Sequence, residues 1–321
     1  MSRLPSLPSL PGARFRVPRP GFPWSAPLVP RGYERPPAAP HTGADYDTAW
    51  ARRPLARHVR LLVLEGPIRL GVRALTAPER TGLDRLDGLE GAAIFAANHH
   101  SHLDTPLLLT SLPEPWRHRV LVAAAADYFF TNRLTSAASA LAIGAIPIER
   151  TRIERRSADR AAGLIDDGWS LLIFPEGGRS ADGWGRGHRG GAAYLALRTA
   201  VPVVPIHVEG TGAIFGKGDK RPTPGTSRVT FGAPLHPRDG ESATRFAGRI
   251  ETAVAALADE ATTDWWSARQ RAARGTSPSL SGPEGSSWRR TWALGERRRP
   301  RRSGSSRSRS SGAHSPAWPR I

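Results

Sequence analysis

The sequence predicts an α/β domain: a mostly parallel, mixed sheet flanked by helices, set between two disordered tails. Three observations lead there. Between about residues 91 and 235, short apolar runs alternate with stretches of helical period, as in a largely parallel sheet with helices on its faces. Before residue 49, Pro recurs every few residues and no apolar period survives. Beyond residue 276 the chain is rich in Ser, Gly and Arg and includes RRRPRRSGSSRSRSS. The expected division is therefore 1–48 disordered and Pro-rich, 49–275 folded, and 276–321 a disordered Arg/Ser-rich tail.

Residues 49–76 space apolar side chains helically with Arg between them, and Pro67 is expected to break or kink that helix. The resulting helical pair could lie on a membrane surface or simply pack on the domain. GAAIFAA (91–97) reads as a strand, with a helix through PLLLTSL after it. RVLVAAAA (119–126) reads as a strand or buried helix, LTSAASALAI as a helix and AIPIE (145–149) as a strand. SADRAAGLIDDG is a helix closed by Gly168, and SLLIF (170–174) is a strand. GGAAYLALRTA is a helix; VVPIHVE and RVTFGAPL are strands. Residues 242–275 give a long amphipathic helix and a shorter one containing DWWSARQRAARG.

Composition bounds the chemistry. The chain has no Cys, which excludes disulfides, thiol nucleophiles and thiolate metal sites and fits a reducing cytosol. The net charge of +18 sits at the ends. About seven excess positive charges fall in residues 1–60 and about nine in 286–321, leaving about two between them. A basic tail can bind nucleic acid or anionic lipid by charge alone, but no aromatic platform interleaves these Arg, so nucleic acid is not the expected partner. No apolar run is long enough to span a bilayer, and the Pro-rich N-terminus does not read as a secretory signal.

The densest polar cluster is NHHSHLD (98–104), directly after a strand, where open α/β sheets place their sites. A metal reading of His99, His100 and His102 fails on spacing, because neighbouring residues point apart and no i, i+4 His pair exists. A nucleophile reading fails because neither Ser101 nor Ser180 sits in a G-x-S-x-G elbow. A base with its orienter fits best. His99 accepts a proton, and Asp104 fixes its tautomer and stabilises the imidazolium. The two meet if His99 lies in the turn and Asp104 in the first helical turn, as Ser101-x-x-Asp104 suggests by its likeness to a capping box starting a helix at about 102. On this cluster alone, the alternative that Asp104 only caps the helix stays open. Its companions are Glu176, Gly177, Gly178, Arg179 and Ser180 after SLLIF, with Arg150 after AIPIE and Arg189 further on. A glycine turn offers backbone N–H groups to an oxyanion, and arginines hold phosphate by charge-assisted bonds. GTGAIFGKG (210–218) has the wrong spacing for a P-loop and reads as a loop bounding the acceptor pocket.

Together these residues resemble the glycerophospholipid acyltransferase family, the lysophosphatidate (1-acylglycerol-3-phosphate) acyltransferases in particular. NHHSHLD is similar to that family's Asn-His-x-Ser-x-x-Asp motif. GAIPIER (144–150) resembles its Gly-x-Ile-x-Ile-Asp-Arg, with Glu149 for Asp. FPEGGRS (174–180) resembles Phe-Pro-Glu-Gly-Thr-Arg-Ser, with Gly178 for Thr. HRGGA (188–192) looks like the segment carrying a further basic residue, and VPVVPIHVEG (201–210) like the fourth motif. The likeness spans about residues 85–235. Ala126 stands near the place where the family often has a lysine, and the family's membrane-embedded helices are not evident.

The resemblance implies direct acyl transfer from acyl-CoA or an acyl carrier protein to a lysophospholipid hydroxyl, with no metal and no cofactor beyond that co-substrate. His99 and Asp104 would be catalytic. Arg150 and Arg179 would hold the acceptor's phosphate with Arg189 as a further basic residue, Glu176 and Gly177 would shape the substrate pocket with Glu176 near a glycerol hydroxyl, and Asn98, Ser101, Gly178 and Ser180 would support them. The expected setting is cytoplasmic, peripheral on an anionic inner membrane face. The alternatives are another acceptor, such as glycerol 3-phosphate or a glycolipid, or a lipid- or nucleic-acid-binding protein on the same fold.

Overall fold

The structure is a computed structural model that describes residues 43–149, 155–180, 183–282 and 289. The tails expected to be disordered lie largely outside these residues, as does Arg150. The described chain runs α1 (Pro54–Val63), α2 (Arg69–Thr76), β1 (Pro78–Thr81), β2 (Ile94–Ala97), α3 (Asp104–Ser111), β3 (Val120–Ala125), α4 (Ala126–Phe129) and α5 (Arg133–Ile143). It continues through β4 (Ala145–Ile148), α6 (Arg155–Asp166), β5 (Ser170–Ile173), α7 (Gly191–Thr199), β6 (Val203–Glu209) and α8 (Thr211–Phe215). Then come β7 (Ser227–Phe231), α9 (Ala243–Thr262) and α10 (Trp265–Ala273).

The strands form one seven-stranded sheet in the order β1-β7-β6-β2-β5-β3-β4. Every pairing is parallel except β6 with β7. β2 is central, with Phe95 opposite Leu172 of β5 and Val204 of β6. A parallel strand covered on both faces reads as an unbroken apolar run, as IFAA does. Alternate side chains then serve two cores. Phe95 and Ala97 pack with Leu107, Leu108, Trp116 and Phe231 on the face covered by α3. Ile94 and Ala96 pack with Leu171, Ile165, Phe246 and Ile250 on the face covered by α6, α7 and α9.

Four local features differ from expectation. Pro67 does not break the first helix. It sits in a π-helical turn, Leu64–Ile68, through which α1 continues into α2. A widened turn can carry a residue that lacks its own N–H. Order begins before residue 49, since Gly43–Asp45 form a 3-10 turn and the Tyr46 ring packs 5.6 Å from Phe130. Order also extends past 275, where Gly185 N–H donates to the Leu280 carbonyl at 2.9 Å. Finally, the segment read as a loop after β6 starts with α8. The chain re-enters the sheet beside β6 in the antiparallel sense because Gly210, at φ 88°, lets the backbones close up: a Cβ there would lie 2.2 Å from the Thr226 carbonyl oxygen.

Phe95 is fully buried beneath the first motif. Phe95→Ala is expected to lower unfolding stability by roughly 3–5 kcal/mol. Urea denaturation would read this, and a loss under about 1 kcal/mol would contradict the packing described.

Candidate active site

Three adjacent strands, β5, β2 and β6, end side by side, and their following turns build the site. Asn98 is the first residue after β2. Its side-chain amide donates to the Val208 carbonyl at 2.8 Å and its oxygen accepts the Val208 N–H at 2.7 Å. This paired contact ties the turn to β6 just where the β2 ladder ends. The Ser101 hydroxyl donates to the Phe215 carbonyl at 2.6 Å and accepts the Leu103 N–H at 3.0 Å. Only half of a capping box forms: the Ser101 N–H donates to Asp104 Oδ2 at 2.8 Å, while α3 begins at Asp104 rather than at 102. The serine's own oxygen is drawn to α8 and to Leu103.

Asp104 is completely buried. Its Oδ2 lies 2.9 Å from His99 Nδ1 and accepts the His100 N–H at 2.7 Å as well as that of Ser101. Its Oδ1 accepts the Thr211 hydroxyl at 2.5 Å. Burial alone would raise this carboxyl. The His99 contact, the Thr211 hydroxyl and the Ser101 N–H outweigh burial and hold it below the usual carboxylate range. An ionised carboxylate only accepts, so His99 Nδ1 carries the proton and Nε2 is left as the acceptor. The ring stacks on Phe174, with centroids 4.0 Å apart and planes 19° apart. The side chain keeps 17% exposure, so the imidazole is fixed without being sealed.

The turn after β5 locks onto the same histidine through its backbone. Glu176 Oε1 accepts the His99 N–H at 3.0 Å, Oε2 accepts the Arg186 N–H at 3.0 Å, and Ser180 N–H donates to the His99 carbonyl at 3.0 Å. Burial pushes the Glu176 carboxyl up to about 7, against the pull of those two N–H groups. Gly177 has φ 70°, and a Cβ there would come within 2.9 Å of the Arg189 guanidinium carbon. Glycine thus lets Arg189 lie against the turn. Arg179 lies over the Tyr128 ring at 5.9 Å, and Tyr128 in turn meets His102 Nε2 at 3.2 Å. Burial, with Arg179 adding to it, lowers the His102 pKa, so that ring is neutral at neutral pH.

The sequence-predicted residues Asn98, His99, Ser101, Asp104, Glu176, Gly177, Gly178, Arg179, Ser180 and Arg189 thus fall on two neighbouring turns. Arg150 is not described, and β4, which precedes it, is an edge strand separated from β2 by β5 and β3. A third described turn, after β6, joins these two. Its Thr211 was missed in the sequence, although a hydroxyl directly after the strand VVPIHVE and Gly210 was the available signal. Phe174, as a platform for His99, was hidden inside a motif read only for its polar residues.

Several known proteins are similar to this chain. Residues 76–209 match the family model described as Acyltransferase. This match covers less than half of the chain. It is 33% identical over 141 residues to a chloroplastic 1-acyl-sn-glycerol-3-phosphate acyltransferase of Brassica napus, covering 43% of this chain and 39% of that one. It is 32% identical over 158 residues to a chloroplastic enzyme of the same name from Arabidopsis thaliana, covering 48% and 42%. The chain therefore matches about two-fifths of the length of these relatives. The crystal structure of the 1-acyl-sn-glycerophosphate acyltransferase from Thermotoga maritima shares the acyltransferase fold at 20% identity, with a TM-score of 0.53 over 68% of this chain and 84% of that one.

Glu176 supplies a pH test. A carboxyl raised from 4.5 to about 7 binds its proton more tightly when folded. Its contribution to stability is complete below pH 4.5 and is lost as pH rises through about 7. The stability of the wild type relative to Glu176→Gln should thus fall by roughly 3 kcal/mol between about pH 4.5 and about pH 8. Urea midpoints at both ends would measure this, and a flat difference would refute the shifted carboxyl.

Proposed function

We propose that the chain transfers a fatty acyl group from an acyl thioester, acyl-CoA or an acyl carrier protein, to the free hydroxyl of 1-acylglycerol 3-phosphate. The observation that carries this reading is the His99 imidazole, held through Nδ1 by a buried, ionised Asp104 with Nε2 left to accept a proton. Nε2 removes the proton of the acceptor hydroxyl as that oxygen attacks the thioester carbonyl. The C–S bond then breaks, the imidazolium returns the proton to the departing thiolate, and the new ester remains. Asp104 holds the ring and stabilises the imidazolium. General base catalysis of this kind supplies about 10²–10⁴-fold, and juxtaposing two bound substrates supplies much of the rest.

Arg179 and Arg189, with Arg150, hold the acceptor phosphate in this reading. Glu176 serves as a strut, because each of its oxygens already accepts a backbone N–H. Gly178 and Ser180 complete the turn, and Ala126 in place of a lysine leaves the phosphate to arginines. No cofactor is needed beyond the acyl thioester, which is consumed as a substrate. Glycerol 3-phosphate offers the same phosphate and hydroxyl and is the natural competitor.

The substrate's acyl chains call for a membrane surface, and α1 with α2 supports a peripheral one. Among the described residues no helix is long and apolar enough to cross a bilayer. Leu55 and Leu62 nevertheless stand 78% and 69% exposed on α1, and Leu70 71% exposed on α2. Apolar side chains interspersed with arginines suit an anionic interface.

Purified protein with palmitoyl-CoA is expected to release thiol only when lysophosphatidate is present, with phosphatidate as product. His99→Ala should cut the rate about 10²–10⁴-fold. Equal release by His99→Ala would overturn the base assignment, and release with glycerol 3-phosphate alone would reassign the acceptor. Leu55→Ser/Leu62→Ser should reduce co-flotation with phosphatidylglycerol-containing vesicles by about tenfold or more, whereas unchanged flotation would detach α1 from the membrane.

A further inference from the structure

The opposite end of the sheet carries a second concentration of basic groups, which the reaction does not use. Arg60, on α1, reaches the amino end of β3. Its Nη2 donates to the Val120 carbonyl at 2.6 Å and lies 3.5 Å from that of Ile143. Arg60 is only 6% exposed, and its Nε has no partner. Among the described residues no carboxylate pairs with it. Burial, reinforced by the like charge of Arg57, brings its pKa down to about 10, so it stays a cation at neutral pH. Two carbonyl dipoles answer this buried charge only in part, and a buried cation without a counter-charge is costly.

Arg60 lines a cleft of about 180 Å³ together with Pro54, Arg57, His58, Leu61 and His118. Arg57 sits over the Trp169 ring at 5.4 Å, and Arg119 flanks the same ring at 5.9 Å. His58 Nδ1 lies 2.8 Å from the Pro54 carbonyl and donates there. The acids at the His118 edge of the cleft are already paired. Glu65 pairs with Arg69, Arg117 and His118, and Glu114 lies 3.3 Å from His118. Because Val120 begins β3 whereas His99 follows the end of β2, and the two strands run parallel on either side of β5, this cleft is remote from the candidate active site.

We propose that this cleft binds a phosphate-bearing anion, held by Arg57 and Arg60 with His58 beside them, as a second site separate from the one at the strand ends. Arginine forks suit phosphate oxygens, and the anion would supply the counter-charge that Arg60 lacks. The ligand chemistry is shared by free phosphate and by a lipid headgroup. The exposed Leu55 and Leu62 on the same helix make the second source testable alongside the first.

Inorganic phosphate would be titrated calorimetrically into the full chain at constant ionic strength. Flotation with phosphatidylcholine vesicles, with and without phosphatidate, would run in parallel. Arg57→Gln/His58→Gln changes two exposed residues, and Arg60→Lys keeps the charge while removing the fork. Arg179→Gln controls for phosphate binding at the strand-end site. The double variant should weaken one or both probes by about tenfold or more, with Arg60→Lys following it and Arg179→Gln retaining the binding. Loss of phosphate binding alone marks a soluble anion, and loss of phosphatidate-dependent flotation marks a headgroup. The proposal is overturned if the wild type responds to neither probe, or if the double variant matches the wild type in both.

Discussion

Asp104 is a carboxylate with no solvent, and everything around the first motif is arranged to keep it charged. Ionising such a group in a closed interior is unfavourable unless donors surround it. Here the imidazole N–H of His99, two consecutive backbone N–H groups and the Thr211 hydroxyl do so. Each donor comes at a structural cost. The 98–103 turn must curl so that His100 and Ser101 aim their N–H groups at one oxygen, which moves the start of α3 to Asp104. β6 must end beside β2 so that Thr211 can reach the other oxygen, and Asn98 secures that neighbour by bonding both backbone groups of Val208. The pairing of β2 with β6 meets the same need, because it sets the turns after both strands against one carboxylate.

The distribution of charge along the chain acquires meaning from this arrangement. The core is nearly neutral in sequence, yet its arginines are not scattered evenly over it. Arg179 and Arg189 stand at the carboxyl ends of the strands, and Arg57, Arg60 and Arg119 at the amino ends. Parallel strands separate these two groups by the length of the sheet. One set faces a histidine and a glycine turn, where phosphate-directed chemistry is possible. The other faces a cleft beside exposed leucines, where binding alone is possible.

Much of this was legible in the sequence because parallel strands buried on both faces announce themselves as short apolar runs. IFAA, SLLI and VVPIHVE were found for that reason, and the polar residues just after IFAA and SLLI marked the site. β1, with the sequence PERT, carries no apolar run and could be recognised only through its pairing with β7. Pro67 marked where the α-helical run is interrupted, but the π turn that joins α1 to α2 depends on local backbone packing rather than on composition. Thr211 escaped because its partner lies 107 positions away, and Arg60 because a lone arginine in an amphipathic helix reads as solvated until its burial is known. Arg150, expected to join the site from the end of β4, lies outside the described residues.

His99 is thus held by two carboxylates in different ways, and the difference explains their opposite ionisation. Asp104 grips the ring. It gathers four donors, one of them the imidazole it orients, and is held below the usual carboxylate range. Glu176 grips the backbone. Burial, reinforced by the field of Asp104, raises it to about 7 against the pull of two N–H donors. If both were fully ionised, their mutual repulsion would loosen the turn that aligns the ring. Pushing the two apart lets one carry the permanent charge beside the imidazole while the other serves chiefly as a strut between the β2 and β5 turns. The proton affinity of each follows from what it holds in place, so the geometry of the turn and the charge state of the histidine's partner are a single property of the fold.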